Sequence, residues 1–159
     1  MEQSKNQYPK QVITTERITG TSQGYQVITI VNNESEEKAV EAAIGYMNAF
    51  NEADAAKTDS FINFPHGLIS ANGVLTVSEK AGTLSAPGFF ADFRRRYGWN
   101  HTCWDSRTVI HSNENKVHLS VTYSRYRADG SKIGTFPSIW VMTRQDNRWG
   151  FKLRSNFDR

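Results

Sequence analysis

Hydrophobic positions along the chain follow three successive rhythms. Gln11 to Val31 is rich in Val, Ile and Thr and breaks at Thr19-Gly20-Thr21-Ser22-Gln23-Gly24, which reads as a turn between two short strands. From Asn33 the spacing is helical: Val40, Ala43, Ile44, Met47 and Phe50 share one stripe, with Tyr46 at its edge. Asn33 can cap this helix, and Glu36 stands three residues on, the capping-box spacing. Asp54 caps a second, shorter helix expected to carry Phe61 and Ile62. Asn72-Gly73 separates two strand-like runs, Asn63–Ser70 and Val74–Val77, and signals a hairpin. A third helix is expected from Ser85 as cap, with Pro87 in its first turn, to Gly98; its stripe is Phe89, Phe90, Phe93 and Tyr97.

From Trp99 onward the period is two. Four strands are expected at 101–111, 116–128, 132–144 and 148–157, joined at Asn113-Glu114, Asp129-Gly130 and Asp146-Asn147. Two-residue loops would place Ile110-Val117-Met142-Phe151 and Thr108-Leu119-Trp140-Leu153 in rows on one face, with an aromatic row Trp104-Tyr123-Phe136-Phe157. Between them would lie the small residues Ser106-Val121-Ser138-Ser155. A belt of small side chains beneath aromatics suggests a cavity with polar handles, because a dense core alternates large and small. The alternative is that a helix side chain such as Phe90 or Phe93 fills the gap. The opposite face would carry Asp105, Arg107, His118, Ser120, Lys152 and Arg154, with Ile139 and Val141 as apolar exceptions. Those two residues point to a homodimer interface on that face.

Composition narrows the class. The chain has 159 residues, 38% hydrophobic and 12% aromatic, which suits one ordered domain with a single core. Nineteen Lys and Arg against sixteen Asp and Glu leave a net charge of +3. The tight basic run Arg94-Arg95-Arg96 reads as a solvated helix face, and no nucleic-acid-binding motif accompanies it, so nucleic acid is not an expected partner. Cys103 is the sole cysteine, which excludes an internal disulfide and a cysteine metal cluster. The polar N-terminus lacks a signal-peptide core and no run is long enough to span a membrane. A cytoplasmic location without membrane attachment is the expectation.

Helix, short helix, hairpin, third helix and four-stranded meander is the element order of the nuclear transport factor 2-like superfamily. The segment from Ala42 to Asp54 resembles that superfamily's opening helix, and Asn63-Phe64-Pro65-His66, Trp104-Asp105 and Arg154-Ser155-Asn156-Phe157 resemble uncharacterised bacterial SnoaL-like (polyketide-cyclase-like) members. The resemblance covers about residues 34 to 157 and implies an α+β cone: three N-terminal helices packed on a curved antiparallel sheet. Residues 1–33 would form an N-terminal arm or hairpin. Ketosteroid isomerase shares the fold, and the resemblance places Tyr46 where that enzyme's oxyanion-binding tyrosine sits. The sequence departs from the enzyme elsewhere: no acid stands between Phe64 and Ser70, where its base would be.

His66 is the nearest titratable group there and could serve as a general base, with Tyr46 as hydrogen-bond donor. The structural alternatives are a histidine bonded at a strand start and a tyrosine at the core edge. Phe90, Trp104, Ser106, Val121, Tyr123, Phe136, Ser138, Ser155 and Phe157 are the expected lining of a pocket for a small hydrophobic molecule. His66 and His101 lack a placed carboxylate, so no metal and no cofactor are expected. Two functions remain open: a cofactor-free acid–base isomerase, cyclase or dehydratase, or a non-catalytic ligand-binding or dimerisation domain.

Overall fold

Asn33 begins the first helix as its spacing implies: its side chain accepts from Glu36 N at 3.0 Å. The computed structural model describes residues 10–14, 27–82 and 86–158. The Glu36 carboxylate returns to Asn32 N rather than to the cap residue, and it also accepts from Ser112 Oγ at 2.5 Å, tying the helix start to the sheet. Helix α1 (Glu34–Asn51) buries Val40, Ala43, Tyr46 and Met47. Its stripe is rotated from the expected one, for Tyr46 lies within the buried face while Ile44 and Phe50 are only half-buried. Gly45 lets Phe61 approach the helix, because a Cβ at that position would overlap the Phe61 ring. Helix α2 (Ala55–Ser60) is capped by Asp54, whose side chain accepts from Lys57 N. It stops before the two residues assigned to it: Phe61 is its C-cap and Ile62 opens the next strand.

Strands β1 (Lys10–Thr14) and β2 (Val27–Val31) pair antiparallel as a separate two-stranded sheet. The expected turn at Thr19–Gly24 and the Ser85 cap both lie outside the described residues. Strands β3 (Ile62–Ile69), β4 (Leu75–Ser78), β5 (His101–Ser112), β6 (Lys116–Tyr126), β7 (Lys132–Gln145) and β8 (Arg148–Asn156) form one sheet in the order β4-β3-β8-β7-β6-β5. That sheet is mixed, not wholly antiparallel, because β3 runs parallel to β8. A parallel neighbour needs a long crossover, and here the crossover contains β4, a helix and the first three strands of the meander. Arg148 clamps the parallel join by donating to Ile62 O and Asn63 Oδ1, both at 2.9 Å.

The helix in that crossover, α3 (Phe89–Tyr97), stands between β4 and β5, so the helices are not all N-terminal to the sheet. It begins after Gly88, whose φ of 84° is left-handed, which leaves Pro87 in the preceding turn instead of the first helical turn. Gly98 ends it, also left-handed. Arg94, Arg95 and Arg96 are exposed on this helix.

Three β-bulges change which residues face the core. Around Asp129-Gly130 the expected pairs Val117–Met142, Leu119–Trp140, Val121–Ser138 and Tyr123–Phe136 are present. Lys152 is an extra residue in β8, so beyond Met142–Phe151 the ladder continues as Val141–Leu153, Trp140–Arg154 and Ile139–Ser155. Leu153 and Ser155 therefore turn outward and Arg154 turns inward. At the β5–β6 turn, where Asn113 Oδ1 accepts from both Asn115 N and Lys116 N, Ser112 rather than Ile110 stands opposite Val117. That change of two residues preserves the faces. Bulges at Ile110 and Asp105 then flip only the stretch between them, pairing Arg107 with Val121 and Val109 with Leu119. Trp104–Tyr123 pair as expected.

Candidate functional site

The corrected register gives the concave face a composition different from the serine belt expected for it. Its rows are Val109-Leu119-Trp140-Arg154, then Arg107-Val121-Ser138-Asn156, then Trp104-Tyr123-Phe136, then Thr102-Arg125-Gly134. Between this face and α1 lies a notch lined by Tyr46, Met47, Phe50, Thr102, Tyr123, Arg125, Trp140 and Arg154. The space in it measures about 240 Å3 when the solvent at its open side is counted, of which about 20 Å3 can take the centre of a water molecule. One water needs roughly 10–15 Å3 on that measure, so the closed part suits one or two waters or a single small polar group. Phe50 packs edge-on against Phe89, Phe90, Phe93 and Trp99, so aromatic residues of α3 and the following turn stand against one wall of the notch.

The polar groups of the lining are dominated by donors. Arg125 carries its guanidinium over three rings, 4.5 Å from the centre of Phe136, 5.0 Å from Phe93 and 5.6 Å from Tyr123. The Nε atoms of Arg125 and Arg154 and the indole Nε1 of Trp140 are buried without a hydrogen-bond partner, as is Nε1 of neighbouring Trp104. Burial pulls the Arg125 guanidinium below its usual range; Tyr123 opposes that pull and the positive charge of Arg154 reinforces it. Burial raises the Tyr123 phenol, against the two arginines, which lower it. Asp158 is the acid whose charge reaches both Tyr123 and Arg125, and it does so weakly. Arg107, although inward and buried, belongs to a different environment: it lies over Trp104 and donates to Thr29 Oγ1 on β2 at 3.2 Å.

The residues singled out from sequence scatter over this framework. Tyr46 lines the notch, with its ring edge-on to Trp140 and Phe151. His66, on β3, is buried and is not among the lining residues; its ring sits 5.0 Å from that of Phe151. Phe151 thus touches both Tyr46 and His66 and stands between them as a contact. A carbonyl oxygen only accepts, so the 3.0 Å contact of His66 Nδ1 with Phe151 O places the proton on Nδ1 and the lone pair on Nε2. Burial lowers the His66 pKa to about 4, and nearby Arg154 and Lys152 push the same way against the Phe151 hydrogen bond.

Tyr123 lines the notch, and Trp104, Val121 and Phe136 share its face. Phe90 is buried under Phe50 and Trp99 rather than within the notch. Ser138 is inward and buried, but its hydroxyl is occupied by Ser155 O and Asn156 Oδ1, both at 2.9 Å. Ser106 is exposed, Ser155 faces outward beside Ile139, and Phe157 is 58% exposed. Those three are corrections to the expected lining, and the bulges at Asp105 and Lys152 account for them. His101 stacks on Tyr126 and bonds to Asn100, away from His66. Arg125 and Thr102 were readable in principle, since each lies two residues from an inward aromatic at the strand period. Arg154 was not, because only the bulge turns it inward.

A helix laid across a curved sheet, with a notch between them, defines the cone-shaped α+β class also called cystatin-like. The chain belongs within it to a specific family: residues 36–152 match the family described as NTF2-like protein (DUF6841). A protein of unknown function with a cystatin-like fold from Nostoc punctiforme superposes with a TM-score of 0.62 at 13% identity, covering 78% of this chain and 91% of that one. A ketosteroid isomerase-like protein from Erwinia carotovora atroseptica superposes with a TM-score of 0.57 at 15% identity, covering 80% and 99%. An NTF2-like protein from Novosphingobium aromaticivorans gives 0.62 at 14% identity over 77% and 80%. Likeness at these identities is a likeness of fold. No curated protein matches the chain. Among the described residues no helix is long and apolar enough to cross a membrane, and no three His, Cys, Asp or Glu side chains gather as metal ligands.

Proposed function

We propose that this protein binds a small molecule in the notch beneath α1, and that His66 does not act there as a proton-transfer base. One observation carries the reading: aromatic walls and buried, unpartnered N–H groups surround the same void. Buried donors without partners are costly, so a fold that keeps several at one cavity is best explained by a ligand that pairs with them. His66 is held off by Phe151, and a histidine with a pKa near 4 is a weak base at neutral pH. The acid–base alternative, an isomerase, cyclase or dehydratase of SnoaL-like type, draws support from the free Nε2 lone pair and from Tyr46 in the notch. Titration calorimetry with octanol and octanoate tests the reading. At least one should bind saturably, Phe50→Trp at the wall should weaken it tenfold or more, and His66→Gln should leave it within about threefold. Absence of binding by both probes, or loss of binding in His66→Gln, overturns it.

For the outer sheet face we propose a second copy of this chain as the occupant. Ile139 and Val141 were expected there, and the β8 bulge adds Leu153 between them and β3. The apolar stripe continues through Val77 and Leu75, which are 47% and 58% exposed. A half-exposed apolar stripe of this kind is what a dimer interface buries. Sedimentation should show a dimer at micromolar concentration, and Val141→Asp should convert it to a monomer. A wild-type monomer under those conditions refutes the assignment.

A further inference from the structure

The notch has a chemical bias that its apolar walls conceal. Two arginines reach it from separate rows of the concave face, Arg125 on β6 and Arg154 on β8, and the buried Nε of each has no hydrogen-bond partner among the described residues. Trp140, fully buried, adds an indole N–H with no partner. Both side chains are half-buried, yet the Nε–H of each is closed off from water without an acceptor, which is costly, and two like charges lining one notch repel each other as well. Packing of Arg125 against Phe93, Tyr123 and Phe136 offsets part of that cost through the guanidinium faces and leaves its buried Nε–H without an acceptor. What these groups lack is a shared anionic acceptor.

We propose that the ligand of this site is an amphipathic carboxylic acid, whose carboxylate is held by Arg125 and Arg154 with the Trp140 N–H as a further donor. This inference rests on the binding function proposed above and deepens it. Geometry favours a carboxylate over larger anions: the enclosed space takes one small planar group, and a guanidinium pairs with a carboxylate through two parallel bonds. The aromatic and aliphatic neighbours Tyr46, Met47 and Phe50 then receive the apolar remainder of the molecule.

The test compares octanoate, octanol and inorganic phosphate on the full chain by titration calorimetry, with thermal unfolding of each variant measured alongside. Octanoate should bind at least tenfold more tightly than octanol, and phosphate should not compete at millimolar concentration. Arg154→Gln and Arg125→Gln should each reduce octanoate affinity tenfold or more, leave octanol unchanged, and raise the melting temperature of the ligand-free protein. That last readout separates a ligand site from a structural role, since removing a structural arginine lowers stability. Equal binding of octanol and octanoate overturns the carboxylate inference while leaving the binding function standing. Binding by neither overturns both. Displacement of octanoate by phosphate, or unchanged octanoate affinity in both arginine variants, also overturns the inference.

Discussion

Replacing Phe151 with Ala should destabilise the protein by about 3–5 kcal/mol, the range for deleting a large aromatic from a closed core. Phe151 is fully buried and its ring lies 4.1 Å from Trp140 in a stacked pair, with edge contacts to Tyr46 and His66 at 5.0 Å each. It also sits where β8 bulges, so it is the last residue of that strand in the expected register before Lys152 intervenes. Loss of the ring leaves a void between α1 and three strands that none of its rigid neighbours can fill. Its backbone bonds, N–H to Phe61 O and carbonyl from His66, survive substitution, so the effect reports packing alone. Urea unfolding measures it: the midpoint should fall with the slope unchanged. Phe151→Leu, which keeps much of the volume, should cost less than half as much. A loss under about 1 kcal/mol for the alanine variant contradicts the placement of this ring at the centre of the core.

The same residue shows why part of the site was readable from sequence and part was not. Period and turn chemistry located every strand of the meander and the central ladder, because Asp129-Gly130 and Asp146-Asn147 specify tight turns; Asp146 and Asn147 both have positive φ, as the primed hairpin turn requires. Side-chain facing is more fragile, since one inserted residue exchanges the two faces of everything beyond it. Nothing in the composition of β8 marks Lys152 as the insertion, and both alternatives alternate polar and apolar residues plausibly. The bulge exchanges Leu153 and Ser155 for Arg154 and Asn156 on the concave side, which converts an anticipated hydroxyl belt into a cationic notch. In β5 two bulges cancel, so Trp104 kept its expected place while Ser106 between them lost it. The parallel β3–β8 pairing was equally hidden, because hairpin signals describe neighbours in sequence and say nothing of which strand closes the far edge.

Lowering the pH from about 7.5 to 4 should remove about 3 kcal/mol of stability through His66 alone. Its folded pKa of about 4 lies below the ordinary histidine value of 6.5 given for the unfolded chain. Between those values the unfolded chain binds a proton that the native state refuses, so stability rises with pH across the window and is lost as pH falls through it. The gap of about 2.5 pKa units, at 1.36 kcal/mol each, sets the size. Burial is the main cause, and the positive charges of Arg154 and Lys152 add to it. The imidazole cannot escape the penalty by turning, because Nδ1 is committed to Phe151 O and the ring is buried to 1% exposure. His101 and His118 are lowered in the same direction by burial, so the wild-type profile alone does not isolate His66. The difference between wild type and His66→Gln does. Glutamine can still donate to the Phe151 carbonyl but does not titrate, so the wild-type advantage at pH 7.5 should shrink by about 3 kcal/mol at pH 4. A difference that stays constant across that range means His66 is protonated as easily in the fold as in water, and the neutral, walled-off imidazole described here is then wrong.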